Sequence, residues 1–273
     1  KTTLIGTWGR SYVDGNVFGG GRGFSGNALT AGAVMGNVDM TISGGTMLGS
    51  IYGGGRLASV GTRLVEPNSP QYGQLIPDDE DGTHGHVTIN ITGGTIGNDY
   101  EAIYHTDFNQ HTTGGHVFAG AMGRLTNLDN STNSLWPNLG KVKETVVNIS
   151  GNNTLIKGNV YGGGEFGTVE TDATITVSGG TIMRDVYGGG YGSTDITSIG
   201  QLRVPNGSSV TLIVMTPMKL AGRVNGNTKI NVNGGWIQKS VYGGGEMATV
   251  GVIKNDSVAH RSEATEFALS WPY

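Results

Sequence analysis

Six times in this chain an aliphatic residue and an aromatic one are followed by three small residues. "VYGGG" occurs at Val160–Gly164, Val186–Gly190 and Val241–Gly245. "VFGGG" at Val17–Gly21 and "IYGGG" at Ile51–Gly55 are near copies, and "VFAGA" at Val117–Ala121 is a worn one. A glycine-rich nucleotide loop occurs once per site, so six copies point to architecture before chemistry. Glycine supplies 50 of the 273 residues, more than twice its usual share of roughly 7%. Charged residues make up 14%, against about 25% in ordinary globular chains. Apolar residues are not depleted, so the chain reads as folded, with glycines at fixed structural positions.

A second block precedes the first: "MTISGGT" at Met40–Thr46, "INITGGT" at Ile89–Thr95, "VNISGNN" at Val147–Asn153, "ITVSGGT" at Ile175–Thr181 and "INVNGGW" at Ile230–Trp236. A third follows the glycines: "RLASV" at Arg56–Val60, "EFGTV" at Glu165–Val169 and "EMATV" at Glu246–Val250. The shortest full period is 26 residues, from Tyr161 to Tyr187, inside the range that marks solenoids and propellers. The second block alternates strictly. Met40/Ile42, Ile89/Ile91, Val147/Ile149, Ile175/Val177 and Ile230/Val232 share one parity, while Thr41, Asn90, Asn148, Thr176 and Asn231 hold the other. Period two means strand. Ile42, Ile91, Ile149, Val177 and Val232 are therefore expected to form one buried ladder, with a Thr/Asn ladder outside. The Gly-Gly pair after each strand suits a corner with positive φ. Three consecutive glycines and β-branched runs exclude a helix.

The expected fold is all-β: a right-handed parallel β-helix of about six coils, one domain over residues 1–273. At roughly 4.8 Å per coil the ladder would stand on the order of 30 Å tall. A propeller is the alternative, but its blades need about 40–50 residues each. Longer units carry insertions at 61–85, 98–115, 124–144 and 192–226, read as loops extruded at a corner. In "VYGGG" the Val enters the core. The aromatics Phe18, Tyr52, Phe118, Tyr161, Tyr187 and Tyr242 are expected to stack coil upon coil as a structural column; the competing reading is a sugar-stacking face.

The pairing of "ITVSGGTI" with "VYGGG" resembles the Gly-rich repeats of very large bacterial surface proteins of the adhesin-like kind, frequent in gut Bacteroidota and some Firmicutes. The resemblance covers about half of the chain, the repeat cores, and departs at the inserts and at "VFAGAMG". It implies an extracellular, cell-surface β-solenoid and carries no catalytic residues across. The expected partners are neighbouring repeats of the same chain and a host or microbial surface protein or glycan.

Chemistry is sought in three places. Five histidines, His84, His86, His105, His111 and His116, fall in one window behind the acidic run "PDDEDG". Imidazoles with carboxylates can hold zinc or another divalent ion, but no H-x-x-x-H is present, and a solvated polar loop is the expectation. Asp78, Asp79 and Asp81 faintly follow a calcium loop without its alternating pattern. Glu165 and Glu246 recur after the glycines, two coils and roughly 10 Å apart, in one column with Arg56. Polysaccharide-cleaving β-helices need such acids on one face, so a carbohydrate-binding or carbohydrate-degrading module is the alternative to a non-catalytic structural one. A flat Thr array also suits ice binding, but Asn alternates with Thr here. No cofactor is expected beyond the divalent-ion alternative.

Net charge is −4 and the basic residues are scattered, which argues against nucleic acid. There are no cysteines, which excludes disulfides and leans toward a bacterial surface protein. The longest apolar run, near Val210–Leu220, is too short to span a bilayer and contains Pro217 and Lys219, so no membrane insertion is expected. No signal peptide heads the chain, which reads as mature protein or a piece of something longer.

Overall fold

The computed structural model describes residues 3–5, 15–23, 30–63, 73–97, 115–123, 139–192, 196–203, 209–215 and 221–252. The molecule is all-β, with one four-residue helix, α1 (Asp78–Asp81), among the described residues. The first sheet runs β1 (Leu4–Ile5), β3 (Val38–Met47), β5 (His86–Ile96), β8 (Glu144–Ile149), β12 (Ala173–Ile182) and β16 (Thr228–Ile237). The second runs β2 (Val17–Phe18), β4 (Ile51–Tyr52), β6 (Val117–Phe118), β10 (Val160–Tyr161), β13 (Val186–Tyr187) and β17 (Val241–Tyr242). Every pairing within these two sheets is parallel. Each strand therefore pairs with its counterpart in the neighbouring repeat copy, and the six copies lie as six tiers. A third, thinner ladder joins Val34, Val60, β7 (Lys141–Val142), β11 (Thr168–Val169), Val224 and Val250.

β9 (Thr154–Ile156) also lies between β5 and β12, so β5, β8, β12 and β9 pair in a closed ring of four. The ring is one interrupted strand and not a barrel. Ile149 to Leu155 faces Val177 to Thr181, so the fourth tier carries two extra residues, and "GNNT" stands where β12 runs on unbroken through "GG". An antiparallel hairpin, β14 (Ile196–Arg203) with β15 (Ser209–Met215), occupies the last insert.

The core lies between the three ladders. Ile89, Ile91, Val147, Ile149, Ile175 and Val177 of the first sheet are buried. They join Ile51, Val117, Val160 and Val186 of the second, and Val60, Val142, Val169 and Val224 of the third, in one cluster. The expected ladder of Ile42, Ile91, Ile149 and Val177 is buried, but Val232 is 53% exposed. β16 is the outermost strand, and no further described tier covers that residue.

The two glycine motifs do different work. In the Gly-Gly pairs the second glycine has positive φ: Gly45 (90°), Gly94 (98°), Gly180 (81°) and Gly235 (85°). The ladder register shifts at these pairs, as at a glycine bulge that redirects a strand. The glycines of "VYGGG" do not have positive φ. A Cβ on Gly163 would meet Gly190 N at 2.6 Å, and one on Gly20 would meet Gly55 N at 2.6 Å. These glycines allow the tiers to approach one another.

The inserts leave from more than one corner. Residues 61–85 follow the third ladder, 98–115 separate the first sheet from the second, and the last two lie between the glycine motif and the third ladder. The spans read as 124–144 and 192–226 end in framework residues, because Lys141–Val142 and Val224 belong to the third ladder.

Candidate functional site

In each "VY" pair the valine points into the core and the aromatic to the opposite side. There Phe18, Tyr52, Phe118, Tyr161, Tyr187 and Tyr242 stack in tier order. Successive ring centroids stand 4.8, 5.0, 4.6, 5.1 and 4.9 Å apart, with interplanar angles of 5° to 12°. Tyr52, Phe118 and Tyr161 are buried; Phe18 and Tyr187 are partly buried; Tyr242 is 47% exposed. Burial grades from the middle of the column to its ends, and Tyr187, one tier from the end, is not fully covered.

A neighbouring column places Arg22, Arg56, Met122, Glu165, Tyr191 and Glu246 in successive tiers. Its two glutamates receive the tyrosine hydroxyls from two tiers away. Tyr52 Oη donates to Glu165 Oε2, and Tyr161 Oη donates to Glu246 Oε2 at 2.5 Å. Asn159 Nδ2 adds hydrogen bonds to Tyr161 Oη at 2.7 Å and to Glu246 Oε2 at 3.3 Å. Burial raises the Tyr161 phenol, helped by the Glu246 hydrogen bond and charge. Tyr187 is pushed up to about 12 by burial and then by the charges of Glu246, Asp185 and Tyr242. Glu165 is fully buried, so a polymer passing over the surface does not reach it. The acids seen in the sequence as a column do form one, and their carboxylates bind tyrosines.

A third column went unnoticed in the sequence. The residue before each aliphatic–aromatic pair is Asn16, Ser50, His116, Asn159, Asp185 or Ser240. Each of the first five presents a side-chain acceptor to the backbone N–H of the next. Ser50 N–H donates to Asn16 Oδ1 (2.7 Å), His116 N–H to Ser50 Oγ (3.1 Å) and Asn159 N–H to His116 Nδ1 (3.0 Å). Asp185 N–H donates to Asn159 Oδ1 (3.1 Å) and Ser240 N–H to Asp185 Oδ1 (3.0 Å). The signal was a polar acceptor at one fixed position in all six copies, hidden because its chemistry varies from copy to copy.

This column removes His116 from the histidine window. His116 is buried, its Nδ1 accepts a backbone hydrogen bond, and its ring tilts against Phe118 and Tyr161. His86 stands elsewhere, at the start of β5. Its Nε2 lies 2.7 Å from Asp78 Oδ2 and its Nδ1 2.7 Å from Glu144 Oε2. Both contacts are donor hydrogen bonds only for the imidazolium form. The ring separates the two carboxylates, so they do not converge on one ion. Lys143 Nζ contacts Asp78 Oδ1 at 2.7 Å. Burial works to raise the Asp78 carboxyl, but the hydrogen bonds and charges of Lys143 and His86 outweigh it and lower it.

His84 is partly buried on the same approach to β5, while His105 and His111 lie outside the described residues. Asp78, Asp79 and Asp81 belong to the helical turn α1, capped by Pro77 and Gly82, which is not a calcium loop. No three His, Asp or Glu among the described residues are grouped to hold a metal.

The outward face of the first sheet carries the expected Thr/Asn row, with Asn148 Nδ2 donating to Asn90 Oδ1 at 2.9 Å and Asn231 Nδ2 to Thr176 Oγ1 at 3.3 Å. No helix among the described residues is long and apolar enough to cross a membrane. Comparison with protein-family models, with curated proteins and with solved structures finds no match to this chain.

Proposed function

We propose that this chain is a parallel β-helix of six coils, of the right-handed kind that parallel crossovers favour, serving as a rigid structural and adhesive module of a bacterial surface protein. One observation carries the reading: the recurring side chains run in continuous columns from tier to tier and bond to one another. The aliphatics fill the core, the aromatics stack, the glutamates accept tyrosine hydroxyls, and the polar residues before each "VY" bond the next backbone. Such a stack gains stability tier by tier. What differs between tiers is the inserts, and these supply the contact surface for a glycan or a surface protein.

The test is a pair of measurements on the same variants. Tyr161→Ala is expected to cost about 3–5 kcal/mol, as for a large ring lost from a packed interior, while substitutions in the inserts leave the melting temperature unchanged. Binding on a glycan and matrix-protein array should follow the inserts. Binding lost in a folded Tyr161→Phe protein, or polysaccharide cleavage lost in Glu246→Gln, would replace this reading with the carbohydrate-active one.

A further inference from the structure

Among the described residues, the two outermost tiers are open in complementary ways. At one end β16 and β17 expose Trp236 (63%), Val241 (45%) and Tyr242 (47%); at the other, β1 exposes Leu4 (54%). Val241 and Tyr242 continue rows that are buried in the middle of the molecule. Trp236 and Leu4 share one row, whose inner members are Thr46, Thr95, Leu155 and Thr181. Both ends thus carry a large apolar side chain where three of the four inner tiers carry threonine. Backbone groups are open too. Val186 and Gly188 N–H donate to the Ser240 and Tyr242 carbonyls; the equivalent N–H groups of Val241 and Gly243 have no acceptor among the described residues. Such an edge is a template for pairing.

We propose that a second copy of this chain docks on this edge head to tail, its first tier continuing the rows of the sixth. This rests on the tiered reading above. A shift along the stack keeps every strand parallel and sets Val17 against Val241, Phe18 against Tyr242 and Leu4 against Trp236. It also sets exposed Arg22 beside Glu246, the first and last members of one column. The offsets agree: five residues separate Val17 from Arg22 and Val241 from Glu246. A two-fold dimer through either end would instead oppose like charges, Glu246 to Glu246 or Arg22 to Arg22, and run the strands antiparallel. Head-to-tail contact is heterologous, and one that does not close builds a filament.

Sedimentation of the full chain over a wide concentration range tests this. Growth beyond a dimer is expected as concentration rises, weakening with salt. Arg22→Glu, on an exposed side chain outside the tyrosine–glutamate network, should weaken association about tenfold or more while leaving the monomer's melting temperature in place. Tyr242→Asp should abolish it. A dimer that grows no further and ignores Arg22→Glu would overturn the proposal in favour of a two-fold contact. A monomer at every concentration also overturns it. Slow hydrogen exchange at Val241 and Tyr242 in that monomer would then assign the cover to this chain's own residues 253–273.

Discussion

Gly163 and Gly36 are the same residue type in opposite situations. A Cβ on Gly163 meets the backbone of Gly190 at 2.6 and 2.7 Å, whereas one on Gly36 meets nothing within 4 Å. Backbone cannot swing aside as a long side chain can, so Gly163→Ala must push two tiers apart. We expect it to cost about 1–3 kcal/mol, the range for overpacking. Gly36→Ala should be neutral or stabilise by about 0.4–1 kcal/mol by restricting the unfolded chain. Denaturant melts of the two variants separate a contact role from a flexibility role. Equal effects would sink the distinction. Three non-glycine residues, Leu57, Phe166 and Met247, hold φ of 52°, 58° and 52° directly after Arg56, Glu165 and Glu246. The left-handed turn recurs there in three tiers, while Gly23, Gly123 and Gly192 at the equivalent positions of the other three do not adopt it.

The elements are too short to stand alone. β10 and β13 are two residues each, and what holds them is the column of acceptors beside them. Asn159→Ala removes the acceptor of Asp185 N–H and two bonds to the Tyr161–Glu246 pair, and should cost about 1–3 kcal/mol. Asn159→Ser restores a hydroxyl of the kind Ser50 uses, and is expected to recover part of the loss in the same melt. The insert helix α1 is tied to the sheet through Asp78, which Lys143 and His86 hold. The Asp78 carboxyl is lowered, so its contribution is complete above the ordinary carboxylate range and fades as pH falls through and below it. Hydrogen-exchange protection of residues 76–84, taken against the intrinsic rate at each pH, should fall below about pH 4 before that of the core strands. Asp78→Asn should show the same exchange already at neutral pH.

Along the whole molecule, the tyrosine column predicts an alkaline limit. The fold holds the phenol protons of Tyr161 and Tyr187 more tightly than the unfolded chain, whose tyrosines titrate near about 10. Stability is therefore full below that pH and falls as pH rises through about 12 for Tyr187, and beyond it for Tyr161. Melting temperatures between pH 8 and 11.5 should drop steeply above 10, and Tyr161→Phe should flatten the drop. Because the backbone of each tier pairs with its neighbours while the Tyr161 hydroxyl reaches Glu246 two tiers away, damage at Tyr161 should propagate further than damage at the end tiers.

Period-two alternation and the repeated glycines determined, by themselves, that the chain is all-β with parallel strands, and which residue of each "VY" pair turns inward. Those signals are local: side-chain parity in a strand follows from backbone geometry alone. The aromatic and acidic columns were legible for the same reason, since one period set both. What the acids bind was not legible, because Tyr52 and Glu165 are 113 residues apart and meet only when the tiers pair. The separation of His116 from His86 was likewise decided by tertiary structure: members of one sequence window, one opens β5 of the first sheet and the other directly precedes β6 of the second. The exposure of Val232 has the same origin. Its pattern matches that of buried Val177, and only the absence of a described strand beyond β16 sets the two apart.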